Sequence, residues 1–221
     1  MRTKTLLAAA AIIAAGLASS QAQSNVYSLN IVGYVNVVLQ PGFNLIVNPL
    51  KTGVSNGVNE VMAGLPDASI VSSFSGGVYD TRTLDTGDWI DSNFAVTTPP
   101  LIPPGKGFFC YVPSLYTNTF VGTVVPAPGG SNTMSLPPGF SLIGSPMPVG
   151  GTVTNSTFNL PTPDACIVSK FAGGVYDTRT LDTGDWIDSN FAITSVPSIS
   201  VGQGFFYYNP GSSTNWVQTL P

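Results

Sequence analysis

The sequence predicts an all-β chain made of two tandem homologous units, each a β-sandwich or small barrel, behind an export signal. Three observations lead there. The chain repeats itself at a shift of 97 residues, as Pro41-Gly42-Phe43 and Pro138-Gly139-Phe140 show. Short apolar runs are bounded by turn residues throughout. The composition is also poor in helix formers and rich in punctuation, with 24 Gly and 19 Pro in 221 residues. Apolar residues make up 43% and include twelve Phe, enough to build the packed core that Gly- and Pro-rich disordered chains lack.

The first element is a leader. Arg2 and Lys4 precede the apolar run Leu6 to Ala18, and Ser20-Gln21-Ala22 follows it. This is the layout of a signal peptide with a small-x-small cleavage site, so residues 1–22 are expected to be removed and the mature chain to begin at Gln23. The apolar run is shorter than the ~20 residues a membrane-spanning helix needs. No later segment reads as a span, and no cysteine sits at the cleavage site for lipidation. The expected location is therefore outside the inner membrane: extracellular, periplasmic or at the cell surface. Without the leader, five basic residues (Lys51, Arg82, Lys106, Lys170, Arg179) face eleven acidic ones, a formal charge of −6. That balance offers no footprint for a phosphate backbone and argues against nucleic acid as a partner.

The repeat sets the domain reading: unit one over 23–125 and unit two over 126–221. The register also aligns Pro66-Asp67-Ala68 with Pro163-Asp164-Ala165, and Gly105-Lys106-Gly107-Phe108-Phe109 with Gly202-Gln203-Gly204-Phe205-Phe206. Between these anchors, Gly76 to Ala95 and Gly173 to Ala192 are identical and read GGVYDTRTLDTGDWIDSNFA. In unit one the strands are expected at Val26–Val38, Phe43–Asn48, Ile70–Phe74, Val78–Leu84, Trp89–Phe94, Gly107–Val112 and Thr119–Val124. Unit two repeats most of them. Its leading segment, Thr123 to Ser135, contains Pro126-Ala127-Pro128-Gly129-Gly130, which reads as a linker. Each unit is long enough to bury a core of its own, so beads on a string and a fused pseudo-twofold domain both remain open.

Several residues carry a resemblance. They are Gly42-Phe43-Asn44-Leu45-Ile46, Phe74, Tyr79, Trp89, Pro104-Gly105-Lys106-Gly107-Phe108-Phe109 and Phe120-Val121-Gly122. The second set is Gly139-Phe140-Ser141-Leu142-Ile143, Phe171, Tyr176, Trp186 and Gly202-Gln203-Gly204-Phe205-Phe206, with Val201 in place of the Pro and Trp216-Val217-Gln218 closing the unit. In these positions the chain resembles a group of secreted and cell-surface bacterial β-repeat proteins. The resemblance implies an extracellular β-module with no assigned active site.

Cys110 and Cys166 are not repeat equivalents, since their counterparts are Tyr207 and Ser69. An even count in an exported chain favours a disulfide, which here would staple the two units. The alternative is two separately buried thiols.

Eight of the eleven acids lie in the identical blocks: Asp80, Asp85, Asp88, Asp91, Asp177, Asp182, Asp185 and Asp188. Three readings compete. In the first, Val78–Leu84 and Trp89–Phe94 form a hairpin turning at Asp85-Thr86-Gly87-Asp88, with the charges as a solvated tip. In the second, the clustered oxygens hold Ca²⁺, the one cofactor the sequence points to, although the spacing fits no EF-hand loop. In the third, Asp85-Thr86-Gly87 and Asp182-Thr183-Gly184 form an aspartic-protease-type dyad, against which the adjacent Asp88 and Asp185 count.

With no histidine in the chain, Ser-His-Asp and Cys-His catalysis and the usual zinc sets are excluded. No P-loop is present. Trp89 and Trp186, with the tyrosines, are candidates for stacking on a sugar, or else for the core. The expectation is a non-enzymatic secreted structural or adhesive protein that self-associates or meets a surface glycan. The alternatives are a carbohydrate-binding module, with or without Ca²⁺, and, more remotely, an aspartic-type hydrolase.

Overall fold

In the computed structural model, residues 32–125 and 130–220 are described. The expected leader, the start of the Val26–Val38 strand and Pro126 to Gly129 of the linker lie outside the described residues.

The chain is all-β; among the described residues its sheets are antiparallel and none closes into a barrel. The first half contains β1 (Val32–Leu39), β2 (Gly42–Val47), a single helical turn α1 (Val58–Val61), β3 (Ile70–Ser75), β4 (Val78–Asp85), β5 (Asp88–Ile90), β6 (Gly107–Val112) and β7 (Tyr116–Thr123). The second contains β8 (Ser131–Leu136), β9 (Gly139–Ile143), β10 (Gly151–Thr152), β11 (Ile167–Ala172), β12 (Val175–Asp182), β13 (Asp185–Ile187), β14 (Ser198–Ile199), β15 (Phe205–Asn209) and β16 (Thr214–Thr219). One half forms a five-stranded sheet in the order β2-β6-β3-β4-β5, and the other forms β9-β15-β11-β12-β13 at matching repeat positions. β1 pairs with β7 and β8 with β16, and each pair covers one face of its five-stranded sheet.

The alternation of side chains along each strand explains the layering. In the first half Ile46, Val71, Phe108, Cys110 and Val112 point inward and meet Leu39 and Phe120 of the covering pair. In the second, Val168, Phe205 and Tyr207 meet Leu136 and Trp216. The opposite faces bear Leu45 and Phe109 on one sheet and Leu142 on the other. These three pack together with Phe74, Phe171 and Phe206, so the five-stranded sheets of the two halves meet face to face.

The halves also share backbone. At the β2 edge, Val47 N–H donates to Gly202 O at 2.9 Å and Gly204 N–H to Leu45 O at 3.1 Å. At the matching β9 edge, Gly144 N–H donates to Gly105 O at 3.1 Å. Each Gly-x-Gly therefore pairs with the other half's edge strand, and glycine is required there by contact. A Cβ on Gly107 would lie 2.9 Å from Ile143 N, and one on Gly204 would lie 2.8 Å from Ile46 O. The halves thus clasp each other at two matching edges.

The structure changes several expected elements. Trp89–Phe94 stops as a strand at Ile90, because the Asp91 carboxylate accepts from Asn93 N–H and Ala95 N–H and turns the chain. β7 begins at Tyr116, ahead of the expected Thr119. A strand follows the linker, as β8 finds its partner in β16. α1 was not foreseen; Glu60 supports it by accepting from Ser55 and from Gly57 N–H. The disulfide is corrected as well. Cys110 and Cys166 are free thiols buried in different cores, one in each half. Burial pushes the Cys110 thiol up to about 12. Burial, with Asp164 beside it, pushes Cys166 up to about 11.

Candidate functional site

The identical blocks fold as the hairpin reading requires. Thr83 pairs with Ile90, Leu84 with Trp89 and Asp85 with Asp88, and the second half repeats this with Thr180, Leu181 and Asp182. Thr86 and Gly87 have φ of 52° and 92°, and Thr183 and Gly184 have 49° and 96°. Two successive positive φ values are the two-residue hairpin turn that matches strand twist. Thr is strained there, and Asp67 fastens the turn by accepting from Thr86 N–H at 2.6 Å. Asp164 does the same for Thr183. The sequence reading did not single out Asp67 or Asp164; their recurrence after Pro66 and Pro163 was the available signal.

The eight block aspartates do not converge. Asp80 pairs with Arg82, and Asp177 with Lys170 and Arg179. These two bases and their hydrogen bonds hold the Asp177 carboxyl below the usual carboxylate range. Asp91 and Asp188 each accept two backbone N–H groups of their own loop, Asp188 from Asn190 and Ala192. Those bonds lower the Asp91 pKa. Asp85, Asp88, Asp182 and Asp185 flank exposed turns. Among the described residues, no three acids, histidines or cysteines come together in a way that would hold a metal ion.

The tryptophans proposed as stacking platforms are interior. Trp89 is 3% exposed and donates from Nε1 to Asn59 Oδ1 at 2.7 Å, and Trp186 is 5% exposed within the second core. They sit opposite Leu84 and Leu181 on the inward face of their strands, so alternation buries them.

Phe94, Phe191 and Tyr34 are exposed singly elsewhere, and a clustered, partly open aromatic surface lies between the halves. The outer face of the first sheet presents Phe43, Phe74, Tyr79, Phe109 and Tyr111, and the second presents Phe140, Phe171, Tyr176, Phe206 and Tyr208. They interlock edge-on: Phe74 on Phe206 at 5.5 Å and Phe109 on Phe171 at 5.3 Å. Phe43 meets Tyr111 at 5.2 Å and Phe140 meets Tyr208 at 4.9 Å. Beside this contact the sheets leave two clefts. One, of about 400 Å³, is lined by Phe74, Tyr79, Phe140, Ser169, Tyr176 and Phe206, with Ile167 and Thr178. The other, of about 270 Å³, is lined by Phe43, Ser72, Tyr79, Phe109, Phe171 and Tyr176. The repeat shift exchanges these two six-residue sets, so the clefts are equivalents built from both halves. Tyr79 and Tyr176 line both of them and divide the groove. Burial, with Tyr176 nearby, raises the Tyr79 pKa, and burial raises that of Tyr176. In the cleft walls the Ser72 and Thr81 hydroxyls are 2.8 Å apart, and those of Ser169 and Thr178 are 2.6 Å apart.

No family model, curated protein or solved structure matches this chain. Among the described residues, no helix is long and apolar enough to cross a membrane.

Proposed function

We propose that this chain is a non-enzymatic, exported adhesive β-repeat protein that holds its partner in the aromatic groove between its halves. The observation that carries this reading is the pair of equivalent clefts, whose aromatic walls stand on two sheets each clasped to the other half at one edge. Tyr79, Tyr176, Phe43 and Phe140 are each about half exposed there. Rigid aromatic side chains supply large contact area at little conformational cost, which suits binding more than turnover. The acids support the same reading, because four of the eight block carboxylates are held in ion pairs or loop caps. The resemblance to secreted and cell-surface repeat proteins agrees with an extracellular site of action.

The test is co-sedimentation of the purified mature chain with washed bacterial envelopes, together with light scattering after size exclusion to detect self-association. Tyr79→Ala with Tyr176→Ala is expected to lower retention at least tenfold while the fold is kept. Retention unchanged in that variant overturns the reading.

A further inference from the structure

The groove's chemistry narrows what it can hold. Alternation along the β3–β4 hairpin places Ile70, Ser72, Phe74, Tyr79, Thr81 and Thr83 on the groove side, and sends Asp80 and Arg82 to the other, where they pair with each other. In the β11–β12 hairpin the Lys170–Asp177–Arg179 cluster is set aside in the same way. Neither cleft is lined by a charged side chain. A charged ligand would lose its hydration there and gain no counter-ion. A wholly apolar ligand is also disfavoured. It would cover the Tyr79 and Tyr176 hydroxyls, which have no hydrogen-bond partner among the described residues, and would leave the Ser–Thr pairs' remaining lone pairs unmet.

A ligand with apolar ring faces and a hydroxyl rim meets both demands, and each cleft is of a size for rings rather than for a folded partner. Two equivalent clefts sharing Tyr79 and Tyr176 also call for a ligand that repeats. Resting on the adhesive reading above, we infer that the groove binds a neutral polysaccharide laid across both clefts, with a sugar ring against each aromatic set. Phe43 and Phe140 close the two ends, and Tyr79 and Tyr176 contact the chain between them. Simultaneous occupation of both clefts makes affinity grow with chain length.

Affinity electrophoresis in gels containing soluble xylan, β-glucan or galactomannan, against alginate and polygalacturonate, tests the ligand class. Calorimetry with oligosaccharides of one to six rings from the retarding polymer then tests the span. At least one neutral polymer is expected to retard the chain, and affinity should rise at least tenfold from a single ring to the spanning length. Tyr79→Ala, which touches both clefts, should lose at least tenfold. Phe43→Ala and Phe140→Ala should each abolish the length dependence and keep single-ring binding. Tyr79→Phe, which keeps the ring, should lose only a few-fold. Melting curves establish that each variant is folded.

Retardation by acidic polymers alone, binding of a proline-rich peptide in place of the sugars, or sugar binding unaffected by Tyr79→Ala overturns the proposal. If envelope retention depends on Tyr79 and Tyr176 and no neutral saccharide binds, the ligand class is wrong and the adhesive groove stands. If retention is independent of both tyrosines, the adhesive reading itself fails.

Discussion

Adding one methyl group at the clasp between the halves tests the architecture directly. Gly107 and Gly204 have no left-handed backbone, so alanine is conformationally acceptable at both; only contact forbids it. At Gly107 the new Cβ would stand 2.9 Å from Ile143 N and 3.0 Å from Ile143 O, and at Gly204 2.8 Å from Ile46 O and 3.1 Å from Ile46 C. These neighbours are backbone of the opposite half, so they can yield only if the clasped edges part. Overpacking of this kind costs roughly 1–3 kcal/mol. Gly→Ala without a clash would instead stabilise by about 0.4–1 kcal/mol through the unfolded chain. The net expectation is a loss of about 1–2 kcal/mol at each site. For a chain of this size that lowers Tm by roughly 2–8 °C, at about 2–4 °C per kcal/mol. Because both methyls push the same pair of halves apart, the double variant should cost less than the sum. Urea melts and scanning calorimetry on the mature chain supply the measurement. Neutral or stabilising behaviour at either glycine would refute the edge exchange.

Other expectations concern the interior and the turns. Trp89→Phe removes the donor to Asn59, whereas Trp186 has no such partner among the described residues, so in paired denaturant melts Trp89→Phe should cost about 0.5–1.5 kcal/mol more than Trp186→Phe. Thr86→Asn and Thr183→Asn place a residue tolerant of positive φ in each hairpin turn and should each raise stability by about 0.5–1 kcal/mol, read from the denaturation midpoint. Cys110 and Cys166 should both be silent to a thiol reagent in the native chain and titrate as two thiols on denaturation; a single disulfide would contradict the structure. The Cys110 pKa is raised from 9.0 to about 12 by burial, so its contribution to stability is complete below pH 9 and is lost as pH rises toward 12. Cys110→Ala should therefore flatten the alkaline limb of the stability–pH curve. A chelator is expected to leave Tm unchanged, since Asp80, Asp91, Asp177 and Asp188 already hold protein partners; a fall in Tm would support the Ca²⁺ reading instead.

The amino-acid order by itself determined the strand class, the repeat register and the hairpin at Asp85-Thr86-Gly87-Asp88, because these are local properties: alternation, turn chemistry and spacing act over a few residues. Alternation also contained the burial of Trp89 and Trp186, had the inward face been known. Which face is inward depends on what packs against the strand, and that was decided only when β1 with β7, and β8 with β16, covered one side of each sheet. The same decision left Phe43, Tyr79, Phe140 and Tyr176 on the other side, placed Cys110 and Cys166 in separate cores, and brought two distant Gly-x-Gly segments against opposite edge strands. Contacts between residues far apart in the chain follow from how the layers stack, and the physical reason is that burial is a property of the neighbour as much as of the residue.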